Sequence, residues 1–178
     1  MKATIFLTLA TLGMLLWWTA ARAGNVPQIG QTAPAFALPD QNGKLQTLAN
    51  YDGQWVVLYF YPKDDTPGCT KEACNFRDDL RQIEALGAKV IGVSVDDSDS
   101  HAKFALKHHL PFPLLADRDG KLADSYGALT DLGVFKIAKR YTFLLDREGK
   151  IARIYLSVDT ARHSKQIIDE LQTLMTKH

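Results

Sequence analysis

Residues 59–74 read Tyr59-Phe-Tyr-Pro-Lys-Asp-Asp-Thr-Pro-Gly-Cys-Thr-Lys-Glu-Ala-Cys74 and hold both cysteines of the 178-residue chain. The order of residue types is that of a buried strand ending, a sharp turn at Pro62 and a helix beginning. Thr66 has the chemistry of an N-cap. Pro67 suits the first helical position, where its missing N–H would go unpaired anyway, and Cys69 then falls in the first turn. Backbone N–H groups point outward at that end, and their partial positive charge favours thiolate over thiol. Cys69 is therefore the expected nucleophile, and Cys74, a turn and a half further on, lacks that advantage.

The spacing of the two thiols carries a prediction. Residues five apart on a helix have Cα atoms roughly 8.6 Å apart and point about 140° away from each other. A disulfide needs its Cα atoms within about 7 Å. If the segment is helical when reduced, a Cys69–Cys74 bond requires local unwinding, so oxidation is coupled to local unfolding.

Outward from this stretch the chain alternates strands and helices. Trp55-Val-Val-Leu-Tyr-Phe-Tyr61 is a continuous apolar run that fits a central strand covered on both faces. After Cys69, apolar residues at Ala73, Phe76, Leu80, Ile83 and Leu86 make one buried helical stripe, with Gly87 as its stop. Lys89-Val-Ile-Gly-Val-Ser-Val95 returns as a second strand, which makes residues 55–95 a parallel strand–helix–strand unit. A helix over Ser100–His109, a short strand over Phe112–Ala116 and a short helix over Lys121–Tyr126 follow. The spacing in Ala128–Ala138 is irregular and predicts a loop. Arg140–Asp146 and Lys150–Leu156 read as strands joined by a Glu-Gly turn, and a closing helix runs from about Thr160. Upstream, Ala33–Asp40 and Leu45–Leu48 flank an Asn-Gly turn as a small N-terminal hairpin. The order predicts an α/β domain with a mixed sheet and helices on both sides.

The chain is long enough for one well-filled domain and too short for two. Residues 1–23 differ in kind: Lys2, an apolar run from Ala3 to Trp18, then Thr19-Ala-Ala-Arg-Ala23. These are the parts of a secretory signal, with cleavage expected between Ala23 and Gly24 and a mature domain over 24–178. An uncleaved anchor is the alternative, the run being near the lower limit for spanning a bilayer. Periplasmic or secreted localisation follows from the cleaved form. Removing Lys2 and Arg22 from the twenty-one basic residues leaves nineteen against twenty acidic. No basic run points to nucleic acid. Two cysteines in an exported protein default to a structural disulfide, but a loop of this size stabilises little by chain entropy, which favours a redox-active pair.

A reactive cysteine opening the helix after the first central strand is the layout of a thioredoxin-like fold. Pro62, Thr66 and Cys69 form P-x-x-x-T-x-x-C, which resembles the peroxidatic motif of peroxiredoxins. The stretch Phe60–Cys74 resembles the bacterioferritin-comigratory, or Q-type, subfamily, whose second cysteine follows the first by five. The likeness runs from Gly30 through Asp146, and the signal segment lies outside it.

The resemblance implies a thiol peroxidase in which Cys69 attacks the peroxide, the Thr66 hydroxyl bonds to thiolate and peroxide, Pro62 shields the site from water and Arg140 completes it. Each role is chemically sound: a thiolate is the nucleophile, and fixed donors stabilise charge moving onto the leaving oxygen. Glu72 matches the glutamate that orients the arginine. Read without the resemblance, Thr66 is a plain N-cap, Arg140 a strand-end surface charge and Glu72 a solvated one. His108-His109 is a solvated pair rather than a metal site, since adjacent helical residues face different ways. Tyr59, Phe60 and Tyr61 read as core, with room for one ring at a pocket mouth.

The expected cycle takes hydrogen peroxide or an organic hydroperoxide to a Cys69 sulfenic acid, then to a Cys69–Cys74 disulfide, which a thioredoxin-like or other dithiol protein reduces. The chemistry needs no metal or organic cofactor, and the subfamily implies a monomer. A periplasmic thiol–disulfide oxidoreductase of the same fold is the nearest rival. It would carry C-x-x-C and a proline where Tyr141 stands. A copper-binding module is a third class, with two thiols and a histidine as ligands.

Overall fold

The computed structural model describes residues 24–176; the segment read as an expected export signal lies outside them. The run at 55–61 becomes β3 (Trp55–Phe60), buried at every position. Such a strand has to be covered on both sides. Its odd-numbered residues Trp55, Val57 and Tyr59 join one core cluster, and Val56, Leu58 and Phe60 join a second on the opposite face. β3 pairs in parallel with β4 (Ala88–Ser94), and β4 pairs in parallel with β5 (Leu114–Ala116). On its other edge β3 pairs antiparallel with β8 (Thr142–Leu145), which pairs antiparallel with β9 (Ile151–Tyr155). The sheet order is therefore β5-β4-β3-β8-β9, a mixed sheet of thioredoxin-like form.

The first core cluster carries residues of α1 (Pro67–Ala85), α2 (Ser98–His108) and α4 (His163–Met175). The two parallel crossovers share a face because both run in the same sense across the sheet, so one handedness puts both helices on one side. The second cluster is covered by α3 (Lys121–Ser125) and by the chain around Ala33 and Phe36. β1 (Ala37–Pro39) and β2 (Leu45–Thr47) form the expected hairpin, with Gly43 in its turn at φ 73°.

The region 128–138 differs from expectation. It is a second hairpin, β6 (Leu129–Asp131) with β7 (Lys136–Ala138), closed by a turn in which Gly133 N–H donates to Asp131 Oδ1 at 2.8 Å. Its tip carries exposed Leu132, Val134 and Phe135, so no inside–outside alternation marked it as strand. Its base is fixed by long-range contacts, including the Lys136 ammonium on the Asp119 carbonyl at 2.7 Å. Strand β8 also begins two residues later than the apolar pattern implied. The Tyr141 carbonyl accepts from Phe60 N–H at 2.7 Å, which leaves Arg140 just beyond the pairing edge of β3.

Candidate active site

Cys69 lies in the first turn of α1, buried to 1 % exposure, and Cys74 is half-buried on the same continuous helix; both are free thiols. Thr66 is the N-cap residue by backbone, with φ −81° and ψ 149°, and Pro67 occupies the first turn as expected. The capping hydrogen bond is not made. The Thr66 hydroxyl donates instead to the Lys63 carbonyl at 3.0 Å, within the turn that precedes the helix. The first backbone bond of the helix runs from Thr70 N–H to Thr66 O at 2.8 Å, so the N–H groups of Gly68 and Cys69 come before it. They belong to the set that an α-helix leaves without intrahelical partners.

Arg140 reaches this helix end from the start of the facing strand. Its Nη2 lies 3.2 Å from Cys69 Sγ and its Nη1 donates to Glu72 Oε2. Gly68 permits the approach, because a Cβ there would stand 3.3 Å from the guanidinium. Cys69, Glu72 and Arg140 are thus brought together from positions up to seventy-one residues apart in sequence. Burial pulls the Arg140 pKa down, but its bonds to Cys69 and Glu72 outweigh that and leave it raised. The arginine is a permanent cation beside the sulfur.

Glu72 is not the solvated charge that helix geometry alone allowed. It is buried, and burial pushes its carboxyl up to about 7 against the lowering pull of Arg140. Its Oε1 has no hydrogen-bond partner, so only one oxygen of the carboxylate is compensated. Below the site, burial pushes the Tyr59 hydroxyl well above its ordinary range, and the charges of Glu72 and Cys69 push the same way. His163 has its Nε2 2.9 Å from Thr142 Oγ1, and burial, with the charge of Arg140 pushing the same way, drives it down to about 4. Pro62 follows β3 and is half-buried.

All three aromatic residues at 59–61 are core, with none at a pocket mouth. His108 is bonded to Asp65, with Nε2 2.9 Å from Oδ1, rather than free in solvent. Asp64, Asp65 and His101 carry no local sequence signal that links them. The adjacent aspartates are visible in the turn, but their partners on α2 are more than thirty-five residues away.

Comparison with known proteins gives one consistent picture. Residues 29–154 match the family model described as AhpC/TSA family. The chain is 39 % identical over 160 residues to peroxiredoxin Bcp of Bacillus subtilis, covering 84 % of this chain and 98 % of that protein. Among solved structures, the peroxidoxin BcpB of Mycobacterium tuberculosis superposes with a TM-score of 0.78 at 35 % identity, covering 82 % of this chain and 97 % of that one. A cysteine-to-serine variant of Xylella fastidiosa PrxQ gives 0.79 at 32 % identity, with 85 % and 99 % covered.

Proposed function

We propose a catalytic cycle from one premise: the chain belongs to the AhpC/TSA family, in its Bcp and peroxiredoxin Q branch, and is a thiol-dependent peroxidase. The Cys69 thiolate attacks one oxygen of hydrogen peroxide or an organic hydroperoxide. The O–O bond breaks, the distal oxygen leaves as hydroxide or alkoxide and takes a proton from water, and Cys69 becomes a sulfenic acid. The Cys74 thiol then displaces that hydroxyl as water and forms the Cys69–Cys74 disulfide. A thioredoxin-like or other dithiol protein reduces the bond, and its own thiols are oxidised in exchange.

One observation carries this reading: the Arg140 guanidinium stands 3.2 Å from a buried sulfur at a helix N-terminus. In the transition state negative charge spreads from sulfur onto the leaving oxygen. A fixed cation and unpaired N–H groups are already in place to receive it. Glu72 holds the arginine, Thr66 turns its hydroxyl from Lys63 toward the peroxide, and Pro62 keeps water off the sulfur. Because Cys69 and Cys74 share one helix, disulfide formation unwinds its first turns.

The protein acts as a monomer, exported and released by cleavage before Gly24. The surroundings of Gly24 support that cleavage. Its N–H lies 2.9 Å from Asp124 Oδ1, and a Cβ at this position would fall 1.6 Å from the Asp124 carbonyl oxygen. A new terminal ammonium at Gly24 would therefore face a carboxylate in a space that admits no side chain.

The test is stopped-flow peroxide consumption by the reduced domain, followed by mass spectrometry of the cysteines. Cys69→Ser abolishes consumption; Cys74→Ser completes one turnover and leaves a sulfenic acid that over-oxidises. Undiminished thioredoxin-dependent turnover in Cys74→Ser removes Cys74 from the cycle.

A further inference from the structure

We propose that the buried Asp64–His101 pair is a positioning device for Cys69, tying the turn before α1 to α2 so that the first turn of the helix stays formed for peroxide attack. The tie must loosen before Cys69 can reach Cys74. This rests on the reading of Cys74 as the resolving thiol.

Asp64 lies between the end of β3 and the N-cap of α1. Its Oδ1 accepts from the Tyr61 hydroxyl at 2.7 Å, and its Oδ2 accepts from the Ser100 hydroxyl at 2.7 Å and lies 2.9 Å from His101 Nδ1. His101 is 0 % exposed and Asp64 7 %. The other ring nitrogen of His101, Nε2, faces the Leu115 carbonyl at 3.1 Å. A carbonyl can only accept, so Nε2 carries a hydrogen, and one proton is left between Nδ1 and the carboxyl oxygen. Both oxygens of the carboxyl group are matched, as a buried polar cluster requires if it is to hold one geometry.

The next residue extends the tie. Asp65 adopts φ 59°, a left-handed conformation that aspartate tolerates better than most residues. That turn of the backbone sends its carboxylate to the far end of α2, 2.8 Å from Lys107 Nζ and 2.9 Å from His108 Nε2. Two consecutive residues thus grip the two ends of one helix. Beyond Cys74, α1 is held again: Asn75 Nδ2 donates to the Thr160 carbonyl at 2.8 Å and Arg77 Nη1 to the His108 carbonyl at 2.6 Å. Residues 66–74 lie between these two sets of anchors and contain both cysteines. A helix end unwinds more readily than its middle, so the upstream anchor, together with the Arg140 bonds to Glu72 and Cys69, sets how often the Cys69 turn opens.

Such a tie acts with opposite sign on the two chemical steps. Peroxide attack needs the formed turn with Arg140 against the sulfur, whereas disulfide formation needs the turn undone. The experiment measures both steps separately by stopped flow with acid quench and mass spectrometry, in His101→Gln and in Ser100→Ala, which leaves both buried partners in place should the first fold poorly. Loss of this buried hydrogen bond raises the open fraction of the turn, and with it the sulfenic-acid-to-disulfide rate, about tenfold in His101→Gln, while the peroxide rate falls by less than about twofold because the formed turn still dominates. Ser100→Ala raises the disulfide rate by less. Amide exchange in reduced His101→Gln is faster at residues 63–66 and 68–70 and unchanged at 75–83. An unchanged or slower disulfide step, or a peroxide rate that falls as far as about tenfold, overturns the proposal. A wild-type protein that stops at the sulfenic acid sinks the resolving role of Cys74; the amide exchange then decides the tie by itself.

Discussion

Glu72→Gln separates activity from stability at this site. The substitution keeps the shape and one acceptor for Arg140 but removes the charge that holds it over Cys69. A hydrogen bond between charged groups contributes roughly 1.5–3 kcal/mol. If the arginine leaves its position by that free energy, peroxide attack slows about ten- to a hundredfold, since about 1.4 kcal/mol is tenfold in rate. Stability moves differently. The Glu72 carboxyl rises from 4.5 in the unfolded chain to about 7 in the fold, so the native state binds this proton more tightly. That favours folding fully below about pH 4.5 and is lost as pH rises through about 7. The difference is worth roughly 3 kcal/mol, at about 1.4 kcal/mol per pH unit. Glutamine carries no such proton, so Glu72→Gln gains stability relative to wild type between pH 5 and pH 8. The comparison has to be between the two proteins, because His163, lowered to about 4 by burial, imposes the opposite slope below its ordinary 6.5. Urea unfolding at both pH values, with stopped-flow peroxide consumption at pH 8, measures the two effects. A stability difference independent of pH, or an unchanged peroxide rate, refutes the reasoning.

Gly92→Val places a Cβ 2.8 Å from both the Tyr59 hydroxyl and Leu114 Cδ2, so the ring packed 4.9 Å from Phe76 must shift. Overpacking of this kind costs about 1–3 kcal/mol, read as a lower urea midpoint, and an unchanged midpoint means the ring is not pinned there. For the N-terminus, Asp124→Asn lowers the thermal midpoint of a chain beginning at Gly24 by more than it lowers that of a chain carrying Ala23 before it. Equal shifts in the two chains remove the ammonium–carboxylate pair.

The residues of the nucleophile's neighbourhood were legible because they are local. A cap residue, a proline, a glycine and a cysteine in consecutive positions define a helix start, and partial charge at that start follows from backbone geometry alone. The continuous apolar run at 55–60 fixed a two-faced central strand for the same reason. The 128–138 hairpin was not legible, since its tip is exposed and its base is set by contacts with residues near 119.

What the sequence decided by itself, then, is that two thiols five residues apart share one helix, the first in its opening turn, too far apart to bond without unwinding. Tertiary structure alone decided what surrounds that thiol. Arg140 reaches Cys69 because β8 begins at Thr142 opposite Tyr59, which puts Arg140 two residues ahead of the strand at the end of β3, and Glu72 became a buried carboxyl because the fold covers that side of α1. Asp64 found His101 because the second crossover helix packs on the same face as the first. Charge and burial at a site depend on which distant segments cover it, and periodicity along one segment carries no information about that.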